Sequence, residues 1–177
     1  MKQLQTITVI LALFFCFNSC QKEKLPRPTQ EGKNTFGCKV NGKNWVPKGG
    51  GPFSGINPTY GGFWYGFNQI YIHTYDNNET VQIYLRNMFS TGEYSLNFNT
   101  IPQPDNLYPD NYALYSKGKG PSANTYITTS EHTGKVFITK RDTVNSIISG
   151  TFHFNAVNKR TGEVIKVTEG RFDIKTH

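Results

Sequence analysis

The feature that most limits how this chain can fold is a period-two alternation of apolar and polar residues, cleanest between Ile148 and Ala156. Ile148, Phe152, Phe154 and Ala156 fall on one side of an extended strand, with His153 and Asn155 on the other. Successive side chains of a strand point to opposite faces, so the pattern marks a strand with one buried face. The same period recurs at Ile70 and Ile72, at Val81, Ile83 and Leu85, and over Lys135–Arg141 after the turn His132-Thr133-Gly134. Near the end, Ile165 and Val167 occupy odd positions and Phe172 and Ile174 even ones. A strand that changes face in this way needs an extra residue, which predicts a bulge or break at Gly170, after Glu169.

Beyond the first twenty residues no window carries the 3.6-residue period of an amphipathic helix. Asn41-Gly42 stands between two apolar-rich runs, a strong signal for a two-residue hairpin, because both residues tolerate positive φ. Asp76-Asn77-Asn78-Glu79 separates two alternating segments and reads as a second hairpin turn; its spacing is not that of an EF-hand calcium loop. Lys159-Arg160-Thr161-Gly162 reads as a third turn. The expected fold is all-β, an antiparallel β-sandwich or barrel-like single domain. Pro47–Asn68, rich in glycine and aromatics, and Ile101–Pro121, rich in proline, resist strand assignment and are expected to be long loops.

The N-terminus has a different composition. Lys2 is followed by an apolar run from Ile7 to Phe17, and no Asp or Glu precedes Glu23. A short basic region, an apolar stretch and a small residue are the parts of a secretory signal, and the stretch is too short for the ~20 residues of a membrane-spanning helix. Phe17-Asn18-Ser19-Cys20 resembles a lipobox, which implies cleavage before Cys20 and lipidation of its thiol. The expected organisation is a lipoprotein signal peptide at 1–19, a polar tether at 20–34 that lifts the domain off the membrane, and a β-rich domain at 35–177. Gln21-Lys22-Glu23-Lys24 is similar to the short charged tag that directs such proteins to the cell surface. The expected address is the cell envelope, anchored to the outer membrane and exposed at the surface if that tag is read.

Two longer stretches carry a family resemblance. Leu25–Pro47, with its Gly-Cys-Lys-Val-Asn-Gly-Lys-Asn-Trp run, resembles the opening of small Bacteroidetes envelope lipoproteins that belong to a domain-of-unknown-function family. Ile148–Asn158 and Thr168–Asp173 resemble that group's ending. The resemblance implies a lipoprotein, a β-rich fold and an envelope address, and it supplies no activity and no site residues.

Charge argues in the same direction. The chain carries 19 Lys and Arg against 12 Asp and Glu, for a net charge of +7. Those basic residues are scattered, so they are expected to form a solvated cationic surface and not a nucleic-acid site. With Cys16 in the signal and Cys20 lipidated, Cys38 is left as an unpaired thiol, expected to be a small buried hydrophobe in a strand.

No constellation for catalysis stands out. The four histidines are far apart, no Cys-x-x-Cys pair occurs, and no Gly-x-Ser-x-Gly elbow is present. No metal or cofactor is therefore expected, and the protein is read as a non-enzyme. One segment has the chemistry of a ligand surface: Tyr60-Gly-Gly-Phe-Trp-Tyr-Gly-Phe67 sets aromatic rings among glycines. Tyr60 and Trp64 are the candidate ligand-contacting residues, since exposed Tyr and Trp rings stack on sugars and peptide side chains. The competing reading makes Phe63, Tyr65 and Phe67 the core face of a strand. The expected function is a non-catalytic binding module for a glycan, peptide or partner protein. The first alternative is a carrier of a small apolar ligand in a β-barrel, and the second is a hydrolase.

Overall fold

A computed structural model describes residues 24–47, 59–64, 69–76, 78–97, 111–118 and 120–175. Cys20 and the rest of the signal segment lie outside them. In chain order the strands are β1 Thr35–Val40, β2 Lys43–Trp45, β3 Thr59–Trp64, β4 Gln69–Asp76, β5 Glu79–Leu85, β6 Gly92–Leu96, β7 Tyr112–Lys117, β8 Asn124–Ile127, β9 Gly134–Asp142, β10 Ile147–Val157 and β11 Val164–Lys175. The one helical element among the described residues is a 3-10 turn at Gly120–Ser122. The protein is all-β, as the alternation predicts.

All eleven strands join one antiparallel sheet. Its main path runs β2-β1-β11-β10-β8-β7-β5-β4-β3, with β9 and β6 branching from β10. The fork follows from the length of β10, whose first part pairs with β9 from Ile147 to Phe154 while Val157 pairs with Ile127 of β8. The sheet wraps around a single main core: Phe36 of β1, Leu85 of β5, Leu96 of β6, Ile138 of β9, Phe154 of β10 and Ile174 of β11 are all buried in it. Phe152 packs there between Phe36, with ring centroids 5.2 Å apart, and Phe172, 6.3 Å away.

The expected hairpins are present. Asn41 (φ 47°) and Gly42 (φ 78°) make the left-handed pair that joins β1 to β2, and β4 pairs with β5 from Ile70–Leu85 to Asp76–Glu79. The phase change in β11 is a bulge. His153 lies alone between partners Phe152–Gly170 and Phe154–Val167, so Thr168 and Glu169 together oppose it. The positive φ falls on Glu169 (51°), not on Gly170. Gly170 is required for another reason: a Cβ there would lie 2.5 Å from the Phe152 ring.

Both segments that resist strand assignment contain strands. Thr59–Trp64 pairs with β4 and forms one end of the main path. Tyr112–Lys117 is a central strand between β5 and β8. Its alternation is hidden because Ala113 and Tyr115 enter the main core while Tyr112 and Leu114 are buried on the opposite face with Tyr84 and Ile127. A strand buried on both faces reads as a continuous apolar run, and this one is also preceded by prolines.

From Lys24 to Asn34, the segment expected to be a tether, the chain is strapped to the domain. Asp173 on β11 accepts five hydrogen bonds: from the Thr29 hydroxyl (2.5 Å), the backbone N–H groups of Glu31 (3.1 Å), Gly32 (2.8 Å) and Lys33 (3.1 Å), and the Ser149 hydroxyl (2.8 Å). Further along, Arg171 donates to the Pro26 carbonyl at 3.3 Å and Lys140 to that of Gln30 at 3.0 Å. Burial pushes the Asp173 carboxyl up, but the donors from Thr29, Ser149, Lys33 and Gly32 outweigh it and hold the group down at about 2.

Candidate functional site

At the end of the sheet where the β1–β2 hairpin lies, the cross-strand register arranges side chains in two successive rows. Val81, Tyr115 and Tyr126 are lateral partners on β5, β7 and β8, and two residues further out Glu79, Lys117 and Asn124 are partners in the same way. Residues two apart on a strand share a face, so the outer row stands directly above the inner one. The inner row belongs to the core, whereas Lys117 and Asn124 are exposed and Glu79 is half-buried. An apolar floor thus meets a polar rim within one turn of the pleat.

Opposite walls complete a cleft of about 370 Å³. The hairpin contributes Asn41, Lys43, Asn44 and Trp45, and the start of β11 contributes Glu163 and Ile165. The hairpin is fastened to β11 by two bonds of 2.8 Å, from Asn41 N–H to the Lys166 carbonyl and from Lys166 N–H to the Asn41 side chain.

Each of the two glutamates holds a tyrosine. The Tyr126 hydroxyl donates to Glu163 at 2.7 Å, and the Tyr115 hydroxyl donates to Glu79. The two rings sit 6.0 Å apart. The bond to Glu163 raises the Tyr126 pKa, with burial adding to it; burial first, then the charge of Glu79, raises that of Tyr115. Both phenols therefore stay protonated and act as hydrogen-bond donors, and neither supplies a phenolate. Glu79 also pairs with Lys117 at 3.2 Å. A carboxylate has about four acceptor positions, so both glutamates keep capacity for further donors. Trp45 lines the same cleft, and its buried indole N–H has no acceptor among the described residues. An unmet buried donor costs about 1–3 kcal/mol.

Cys38, the cross-strand partner of Trp45, is fully buried and free. Burial, then the charge of Glu79, pushes its thiol up to about 12, so it packs as a small hydrophobe.

Two other surface hollows have similar volumes, about 400 Å³ beside Phe137, His153 and Arg171 and about 350 Å³ beside Leu114, Ile127 and Asn158. In the first, Lys135 bonds Glu93 at 2.7 Å and Arg171 lies 3.9 Å from the Glu169 carboxylate. The end cleft is set apart by its two tyrosine–glutamate pairs, not by size. Among the described residues no group of three or more His, Cys, Asp or Glu is placed to hold a metal ion.

Of the residues singled out in the sequence, Tyr60 pairs in backbone register with His73, and Trp64 with Gln69; their side chains lie outside the described residues, as does Cys20. Sequence reasoning missed the end cleft. Glu79 was read only as a turn residue, yet it opens β5 and faces the cleft. A usable signal is present: Glu79 opens β5 and Glu163 immediately precedes β11, both after turns, which places carboxylates at an end of the sheet.

Among the described residues these features define an all-β domain with a cleft at the end of its sheet where carboxylates surround an aromatic floor. Residues 64–173 match the model of a family described as a domain of unknown function, DUF6252, and the chain belongs to that family. Glu79, Tyr115, Tyr126 and Glu163 fall inside the matched span, whereas Trp45 precedes it. Neither a curated protein sequence nor a solved structure matches the chain.

Proposed function

We propose that this protein is a non-catalytic binding module, held at the cell envelope by a lipid on Cys20, that takes its ligand in the cleft between the β1–β2 hairpin and the Glu79 and Glu163 ends of β5 and β11. The observation that carries the reading is the pairing of a buried aromatic floor with a rim of carboxylates, amides and ammonium groups that keep hydrogen-bonding capacity. Ligand sites combine an apolar surface with a few placed polar groups in this way. The tyrosines are fixed as donors to the glutamates, which favours binding over acid–base turnover. The lipid anchor rests on the Phe17–Cys20 lipobox.

Two experiments test the reading. Metabolic labelling with a fatty-acid analogue should mark the wild type and not Cys20→Ala; label on the variant removes the anchor from the proposal. Thermal-shift titration of the processed protein with mono- and disaccharides, dipeptides and oleate should give a saturable shift that Glu163→Gln weakens. A shift seen with oleate alone and unchanged in Glu163→Gln would replace the module with an apolar-ligand carrier, and chemical conversion of a probe would replace it with an enzyme. Trp64→Ala separates the two candidate surfaces: if ligand enters the end cleft, the titration is unaffected, whereas loss of binding with an unchanged melt moves the site to Tyr60 and Trp64.

A further inference from the structure

The chemistry of the cleft narrows the ligand class, and this step rests on the binding-module reading. We infer that the cleft is a subsite for one or two rings of an uncharged pyranose saccharide. Three features select that class.

The first is charge. Two glutamates, Glu79 and Glu163, face two lysines, Lys43 and Lys117, around the same opening. Arg160, bonded to the rim residue Asn124 at 2.8 Å, adds a third cation, so the two signs are interspersed around the opening and a lone anion would meet two carboxylates. The second is the mixture of donors and acceptors. Glutamate only accepts and ammonium only donates, and the amide oxygens of Asn41 and Asn124 are already taken by the Lys166 N–H and Arg160, which leaves their NH2 groups as donors. A ligand that satisfies all of these must both donate and accept at several adjacent atoms. The hydroxyls of a pyranose do so around the whole ring. A fatty acid offers one acidic group, and an extended peptide finds its donors and acceptors along a strand edge, not within a closed cleft. The third is the floor. Trp45, Tyr115, Tyr126 and Ile165 are each less than a tenth exposed and close the bottom with carbon, which matches the C–H face of a sugar ring. A volume of about 370 Å³ lies at the small end of the ~300–1,000 Å³ range for small-molecule sites, enough for one or two rings.

In this arrangement Glu163 is the selective contact, exposed at the rim with one internal donor, Tyr126; the Trp45 indole N–H is buried, and Trp45 serves as part of the floor. Glu79 and Glu163 accept from neighbouring hydroxyls while Tyr115 and Tyr126 hold them in place.

The test is calorimetric titration of the processed full-length protein with glucose, galactose, mannose, N-acetylglucosamine and their β-1,4-linked dimers, with alanyl-alanine and glucuronic acid as contrasts. At least one neutral sugar should bind saturably. Glu163→Gln should weaken it by about tenfold, and Glu79→Gln by a similar factor. A melt of each variant reports folding, and Glu163→Gln, at an exposed position, keeps the test open should Glu79→Gln unfold. Binding of alanyl-alanine or glucuronic acid in place of every neutral sugar, lost in Glu163→Gln, overturns the saccharide assignment and leaves the binding module standing. Sugar binding that neither variant changes removes the cleft as the site, and with it the reading on which this inference rests. Failure of every neutral sugar to bind also overturns the assignment.

Discussion

Two ends of one sheet hold carboxylates in opposite ways. Near the end of β11, Asp173 is buried and surrounded by five donors drawn from the N-terminal strap and from Ser149. At the other end of the same strand, Glu163 is exposed and has one tyrosine hydroxyl, and Glu79 has one tyrosine and one lysine. A saturated carboxylate is spent on the fold, since all its acceptor positions are filled from within. An unsaturated one at a cleft keeps capacity for something the protein does not itself supply. The degree of saturation, more than charge or motif, separates the structural acid from the candidate functional ones.

The contrast can be broken most directly at Asp173. Asp173→Ala leaves the Thr29 and Ser149 hydroxyls and three backbone N–H groups without this acceptor and should cost about 3–4 kcal/mol in urea denaturation. A loss below about 1 kcal/mol would place Asp173 with the rim glutamates. A pH series gives the next largest effect. The folded carboxyl titrates at about 2, below its ordinary value of 3.8. Its stabilisation is therefore fully present above the unfolded value and is lost as pH falls toward the folded one, an effect of about 2 kcal/mol. The gap in stability between wild type and Asp173→Asn should narrow by that amount as pH is lowered through this window; a constant gap would show that the charge of Asp173 does not contribute. Thr29→Val removes one donor of the five and should cost about 1–2 kcal/mol by thermal melt. The smallest effect belongs to the cleft: Glu163→Gln should move stability by no more than about 0.5 kcal/mol, and a larger loss would make Glu163 structural as well.

How much of this was legible in the sequence depended on how many faces each strand buries. The later part of β10 and the first part of β11 bury one face each, so Phe152, Phe154, Ile165 and Val167 mark their strands, and the switch of phase to Phe172 marks the bulge between Val167 and Gly170. β7 buries Tyr112 and Leu114 on one side and Ala113 and Tyr115 on the other, and its period of two disappears. β3 was obscured by Gly61 and Gly62, which carry no side chain to set a pattern. The cleft was hidden for a different reason. Trp45, Glu79, Tyr115, Tyr126 and Glu163 come from five places spread over more than a hundred residues, and only strand register brings them together. The aromatic run at Tyr60–Phe67 drew attention because its rings are adjacent in sequence, which is no guide to adjacency in a folded sheet. Asp173 gave no hint either, because its partners in the strap lie about 140 residues upstream.

That separation has a consequence in time. As the chain emerges N-terminus first, the β1–β2 and β4–β5 hairpins can close as soon as they appear, but the other edge of β1 and the strap's main acceptor, Asp173, wait for β11. Closing so long a loop adds little to the equilibrium cost, since each doubling of length costs only about 0.6 kcal/mol, but non-local pairing of this kind is slow. The hairpin carrying Trp45 is fastened by Lys166 of β11, and Glu163 lies at that strand's threshold, so cleft and clasp form in the same late event. A chain cut short before β11 has neither, so the cleft exists only once the last strand is in place.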